Sequence, residues 1–276
     1  MSVAIGTGFT GISQDIDQPR ICFDAMPATA VVASGSAPGS DPEWVTSRET
    51  WDYWTADDAT AQINIGFGAA VSIDYIGIAA HTLGSTGATV RPAFQLTDGG
   101  AYAVAPDVLA HDPTDDGAIL FLFAPRAVWG VRLLISGGVS APQIGVFQSG
   151  QALEFPRKSL YTGQPISESK SVTYRHQKSI RGDVLGRAVE GSGMDFSVDI
   201  SNLPETFRAA AGDITWKGFV RHSESVGPFF MAPKPFSYPD DVAYAQVKDQ
   251  PRFQRALANK AASGQVVLNC SGYVAP

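Results

Sequence analysis

The sequence predicts a mainly β protein, with a β-sandwich first and a smaller mixed α+β unit behind it. Three observations carry that reading. Apolar residues alternate in "QINIGFG", where Ile63, Ile65 and Phe67 share one face, as on a half-buried strand. The runs "AILFLFAP" and "AVWGVRLLIS" are apolar at nearly every position, as in strands buried on both faces. The chain carries Gly 28 and Pro 18, and turn residues punctuate the strands at intervals of roughly ten positions.

The elements follow in order. Residues 1–20 are polar and glycine-rich without a period, and read as an extended arm of the kind that latches onto a neighbouring subunit. They contain "GTGFTG", Gly6 to Gly11, which has the letters of a dinucleotide fingerprint. The helix such a site requires does not follow, because "ISQDIDQPR" is short, polar and closed by Pro19. Residues 21–156 form the sandwich. "VSIDYIGIAA" places Val71, Ile73 and Tyr75 on one face before turning apolar on both, and "LTDGGAY" is a hairpin with Asp98-Gly99 at its turn. Residues 157–276 form the second unit. "SVTYRH" and "FSVDI" alternate as strands, and "LPETFRAAAG" is a short helix begun by Pro204 and stopped by Gly212. "DITWKGFVRHSES" is a helix with Asp213 as its cap and Trp216, Phe219 and Val220 on one face. "PFFMA", "DVAYAQV" and "QVVLNCSGYV" return to strand, while "PRFQRALANK" satisfies helix and strand alike.

Composition narrows the function. A hydrophobic fraction of 44% with 17% charged residues belongs to a packed globular chain, not a disordered one. The formal net charge is −7 and no basic block occurs, which argues against a nucleic-acid partner. The longest apolar run, "AILFLFA", falls far short of the roughly 20 residues of a spanning helix. No membrane insertion is expected. The first twenty residues lack the basic start and apolar core of a secretory signal, so synthesis in a cytoplasm is expected. Cys22 and Cys270, near opposite ends, read as two buried free thiols.

Catalytic patterns are scarce. No G-x-S-x-G elbow occurs, and His81, His111, His176 and His222 have no further histidine or cysteine at zinc-ligand spacing. Each reads as a surface or loop histidine. The carboxylate doublets Asp57-Asp58, Asp115-Asp116 and Asp240-Asp241 read as solvated turns. Only the loop "HDPTDDG", with Asp112, Asp115 and Asp116, has the oxygen chemistry of a calcium site, and the full calcium-loop pattern is missing. "RGD" (Arg181 to Asp183) and "NCS" (Asn269 to Ser271) read as chance strings. No enzyme activity, resident metal or cofactor is expected.

The run from Trp51 to Val90, "WDYWTADDATAQINIGFGAAVSIDYIGIAAHTLGSTGATV", resembles the galactose-binding-like, or discoidin-like, jelly-roll module. "VRLLISGGVSAPQIGVFQSGQALEFPR", Val131 to Arg157, is similar to that module's closing strands. The remainder resembles minor tail, or tail-tip, proteins of long-tailed bacteriophages, through "YTGQP" (from Tyr161), "LGRAV" (from Leu185), "NLPETF" (from Asn202), "GPFFMAPKPFSYPDDVAYAQV" (from Gly227) and the final "GYV". The family pattern follows "PFF" with a tryptophan, where this chain has Pro233.

The resemblance implies a structural part of the virion tail, made in the host cytoplasm. It implies a homo-oligomeric ring or collar that contacts other tail-tip and tail-tube proteins, and it leaves contact with a host-surface glycan open. The alternatives are a carbohydrate-binding module of a polysaccharide-acting enzyme and a free lectin-like adhesin. Galactose-binding-like folds hold ligands in loops at one end of the sandwich. That places Trp44, Tyr53, Trp54, His81 and Arg91 as candidates for carbohydrate or partner contact. Alternation over "WDYW" puts Trp51 and Tyr53 on one side, with Trp51 in the core, and leaves Trp54 at the rim.

Overall fold

The computed structural model describes residues 2–7, 17–158, 165–178, 180–181, 183–225, 227–256 and 263–274. The first half contains β1 (Ser2–Ile5), β2 (Arg20–Ala25), β3 (Ala30–Ala33), a 3-10 turn (Pro42–Thr46), β4 (Trp54–Thr55), β5 (Ala61–His81), β6 (Thr89–Gln95), β7 (Tyr102–Val104), β8 (Ile119–Ser136) and β9 (Gln143–Glu154). The second half contains β10 (Lys170–Lys178), β11 (Val184–Pro204), α1 (Glu205–Ala209), α2 (Trp216–Glu224), β12 (Phe229–Ala232), β13 (Ala243–Val247), β14 (Arg252–Ala256) and β15 (Ser263–Gly272). These strands join one sheet, in the order β10-β11-β15-β13-β12-β2-β9-β5-β8-β6-β7, and every pairing is antiparallel except that of β1 with β8. The fold is therefore mainly β with two short helices, a sandwich followed by a mixed unit.

Two long strands make the sandwich. The first part of β5 pairs with β3 and with the end of β8, which continues to β6 and β7. Its second part pairs with β9 and with the start of β8. Each strand thus bends and serves both layers. In β5 the register breaks between Gly66 and Val71, where Gly68 takes a left-handed φ of 69°. The two runs read as separate strands are one strand, β8, kinked around Pro125, a residue that cannot donate to a ladder. Ile63, Ile65, Phe67, Ile73, Ile76, Ile78, Phe121 and Val131 meet between the layers.

A second register break, between Ile73 and Tyr75, overturns the expected facing. Ile73 enters the sandwich interior, whereas Tyr75 joins a different cluster behind the sheet. The residue at the break, Asp74, accepts a hydrogen bond from the Ala152 N–H at 2.7 Å. Behind this layer, Tyr75, Leu120, Leu122 and Val146 pack against Phe230, Val242 and Tyr244 of the second half. Cover on both sides is the reason Tyr75 to Ala80 and Ile119 to Phe123 are apolar throughout.

β2 joins the halves. It pairs with β9 on one side and with β12 on the other. The chains approach so closely there that a Cβ on Gly150 would lie 1.8 Å from the Asp24 carbonyl oxygen. Ile21, Phe23, Leu153 and Phe155 belong to the core of the second half, with Met194, Phe196, Trp216, Phe219 and Phe229. The described part of the N-terminal arm also stays within the molecule. Ser2–Ile5 lie on β8, and the buried Asp17 carboxylate accepts from Ser237 N–H and Oγ–H at 2.9 and 2.8 Å. Residues 8–16 of the arm, and most of the "GTGFTG" and "YTGQP" strings, lie outside the described residues.

α2 is capped by Thr215, not by the expected Asp213: Thr215 Oγ1 accepts from the Gly218 N–H at 3.2 Å. Asp213 instead pairs with Arg221 on the surface. α1 begins after Pro204 as expected, and the ambiguous "PRFQRA" is the strand β14. Cys22 and Cys270 are buried free thiols.

Candidate functional site

The aromatic stretch leading into β4 departs from the expected facing, and its two tryptophans exchange the roles expected of them. Trp54 is 0% exposed, and its indole N–H donates to Ser36 Oγ at 2.8 Å. Trp51 is 68% exposed and Tyr53 43%. The pairing of Trp54 with Ile144 and of Thr55 with Gln143 sets the alternation, so Trp54 points inward and Tyr53 outward. Trp51 lies before the strand, in a bend where alternation no longer applies. The expectation that Trp51 fills the core and Trp54 the rim is therefore reversed.

The other candidates do not converge on one place. His81 pairs with Ile144 from the opposite side to Trp54, but it is only 3% exposed, and its Nδ1 accepts from the Leu83 N–H at 3.2 Å. Burial pushes its pKa down to about 4, so the ring is neutral and belongs to the sandwich, not to its surface. Arg91 is exposed on β6, opposite Leu134. Trp44 is half-buried in the 3-10 turn, whose cap is Asp41. None of the candidate set lines the cleft that the exposed Trp51 borders.

Trp51 borders a cleft that only the tertiary structure creates. Arg48, Glu49 and Thr50 form one wall with it. Tyr244 and Gln246 of β13, Ser271 and Gly272 of β15, and Tyr273 form the other, around a volume of about 270 Å³. The Tyr244 hydroxyl donates to the Arg48 carbonyl oxygen at 2.7 Å, which ties the two walls together. Arg48 holds a left-handed φ of 69°, unusual for a residue with a side chain, and this turns the loop over the cleft. Burial raises the phenol pKa of Tyr244 and of Tyr273, so both stay neutral hydroxyls at ordinary pH. Arg48 also lines an adjoining cavity of about 170 Å³ beside Met26, Thr46, Phe147 and Gln148. Arg48 escapes sequence reasoning because it lies almost two hundred residues or more from Tyr244, Gln246 and Tyr273, and tertiary contacts such as the β2–β12 pairing bring them together. A larger open groove of about 690 Å³ runs between α2 and β14 over Trp216, Val220 and Phe253. Its arginines are already paired, Arg208 with Glu205 and Arg221 with Asp213.

The acidic loop is not gathered around a point. Asp112 Oδ1 accepts from Thr89 Oγ1 at 2.6 Å, Asp115 Oδ1 from the Gly117 N–H at 2.9 Å, and Asp116 Oδ1 from the Ser85 N–H at 2.8 Å. Among the described residues, no group of three or more His, Cys, Asp or Glu side chains is arranged to hold a metal ion. A serine–histidine hydrogen bond joins Ser2 Oγ and His111 Nε2 at 2.5 Å, and it pins β1 to the loop before β8. Asp241, read as part of a solvated doublet, is buried and accepts from Ser167 N–H and Oγ–H.

A scan of family profiles finds no match to the chain, and a search of curated proteins finds none either. Solved structures similar to part of it include a pectin-binding carbohydrate-binding module, at 20% identity and a TM-score of 0.38 over 46% of this chain and 91% of that one. A chitosan-binding module from a Paenibacillus sp. IK-5 chitosanase/glucanase has 14% identity and a TM-score of 0.37 over 45% and 95%. A Clostridium perfringens carbohydrate-binding module, in complex with GalNAc-β-1,3-galactose, has 11% identity and a TM-score of 0.39 over 46% and 99%. Likeness at this level assigns neither a fold nor a ligand to this chain. The architecture above rests on strand pairing and the site on its own geometry.

Proposed function

We propose that the protein is a non-catalytic carbohydrate-binding protein whose contact surface is the Trp51 rim and the cleft behind it. The carrying observation is Trp51 itself, a large aromatic ring left 68% exposed at the mouth of a cleft lined by both polar and apolar groups. The C–H face of a sugar ring is apolar and stacks on such a ring, while its hydroxyls need donors and acceptors at the edge. Arg48, Glu49, Gln246 and Ser271 supply both. The rim is acidic: residues 41–58 carry six carboxylates against the single Arg48. A neutral or amine-bearing glycan suits that field, and a polymer of uronic acids is repelled by it.

The test is calorimetric titration of the whole chain with a panel of neutral, amine-bearing and acidic oligosaccharides. Binding to a neutral or amine-bearing member is expected, weakened at least about tenfold by Trp51→Ala, a loss of about 1.4 kcal/mol, with the melting curve unchanged. Trp54→Ala should instead cost about 3–5 kcal/mol of stability by denaturant titration, as large core truncations do. A panel with no binder, or a Trp51→Ala variant that binds like the parent, sinks the proposal.

A second reading is a structural part of a bacteriophage tail tip that assembles with copies of itself and with other tail proteins. The observation that favours it is the long hairpin of β10 and β11, which projects from the sheet with solvent on both faces. Light scattering on the purified chain separates the readings, since a lone carbohydrate-binding unit stays a monomer.

A further inference from the structure

Residues 194–204 of β11 pair with β15, but its earlier part, from Val184 to Gly193, pairs only with β10. β10 in turn stands at the end of the sheet. The hairpin therefore leaves the body as a two-stranded ribbon. Ser171 to Gln177 and Gly186 to Val189 are exposed at every position. A ribbon with neither face covered is marginal in water.

Its chemistry is specific. Val172, Tyr174 and His176 alternate onto one face of β10, and Val189 and Arg187 stand opposite Tyr174 and His176 on β11. The Arg187 guanidinium lies 4.5 Å from the centre of the Tyr174 ring. That face is apolar and cationic together, and Arg175 adds a cation on the ribbon's other exposed face. Across residues 170–190, Lys170, Arg175, Lys178, Arg181 and Arg187 outnumber Asp183 and Glu190, in a chain whose net charge is −7.

The opposite combination occurs elsewhere on the same molecule. The 41–58 rim holds six carboxylates against Arg48, with Trp51 and Tyr53 exposed among them. We propose that the hairpin is a docking arm whose receptor is the 41–58 rim of a second copy of this chain. Cation meets carboxylate, and Val172 and Tyr174 meet the exposed rings. The two surfaces differ, so the contact is heterologous and repeats head to tail, closing into a ring or running on as a filament. This rests on the self-association half of the second reading above and adds the surfaces that carry it.

A charge exchange on the full chain tests it, read by sedimentation and light scattering. The parent is expected to self-associate, with association weakening at least about tenfold from low salt to about 0.5 M as screening shortens the reach of the charges. Arg175→Glu with Arg187→Glu should give a folded monomer, and so should Asp57→Lys with Asp58→Lys. All four positions are exposed, so circular dichroism should show the parent fold in both variants. Mixing the two variants should restore assembly, because the reversed hairpin of one now fits the reversed rim of the other. A parent that stays monomeric at every concentration overturns both self-association and the surfaces. A parent that assembles, with variants that still assemble alone or fail to reassociate when mixed, overturns the surfaces only. The hairpin variant keeps Trp51 and its rim intact, so glycan titration on it judges the carbohydrate reading separately.

Discussion

Trp51 and Trp54 stand three positions apart and have opposite surroundings, and the cause is a two-residue strand. Once Trp54 pairs with Ile144, its ring is committed to the interior, and Trp51 is left on the bend before it. Asp74 shows a residue effect of another kind. Burial raises its carboxyl pKa to about 6, against the lowering by the Ala152 N–H and by nearby Arg20. The folded chain then holds a proton that the unfolded chain, with an ordinary pKa of about 3.9, has released. This contribution to stability is full below about pH 4 and is lost as pH rises to about 6. Asp74→Asn keeps an acceptor for Ala152 and removes the titration. Its stability should be flatter than the parent's between pH 4 and 6, by an amount on the order of 2 kcal/mol, measured as the denaturant midpoint against pH. Parallel curves would show that another group titrates there.

At the scale of elements, bends and breaks do more than strand propensity. β5 and β8 each serve two layers because each breaks register partway, at Gly66–Val71 in one and around Pro125 in the other. Simple alternation places Val71, Ile73 and Tyr75 together, but the break beside Asp74 sends Tyr75 to the far side of the sheet. The close pairing of β2 with β9 is equally local in origin. Gly150 carries no side chain where the Asp24 carbonyl arrives, so Gly150→Ala must push β2 away. The expected cost is about 2–3 kcal/mol or more, read in a chemical melt, in the range of overpacked interiors. A neutral substitution would mean that β2 shifts freely, and with it the junction between the halves.

At the scale of the whole molecule, the sandwich and the second unit share one sheet and one strand. Sequence texture changes near residue 156, yet the core of the second half takes in Ile21, Phe23, Leu153 and Phe155. A chain of residues 157–276 alone should therefore lack a cooperative thermal transition by circular dichroism, because four buried apolar side chains and the partner strand of β12 are missing. A sharp melt of that fragment would show the halves to be independent. The same sharing creates the candidate site, since one wall of the Trp51 cleft comes from the loop before β4 and the other from β13 and β15.

The sequence by itself determined what depends on neighbours along the chain. Period-two alternation marks the strands at Ile63–Phe67, Asp98-Gly99 marks the hairpin between β6 and β7, and the helical spacing of Trp216, Phe219 and Val220 marks α2. It also singled out Trp51, Tyr53 and Trp54 as an aromatic cluster, without saying which of them meets solvent. Only the tertiary structure decided that, along with the neutral buried state of His81 and the meeting of Arg48 with Tyr244 across about two hundred residues. The physical reason is that facing has only two values on a strand. A single bulge or bend inverts it, and the pairing partner that fixes it lies far away in the chain.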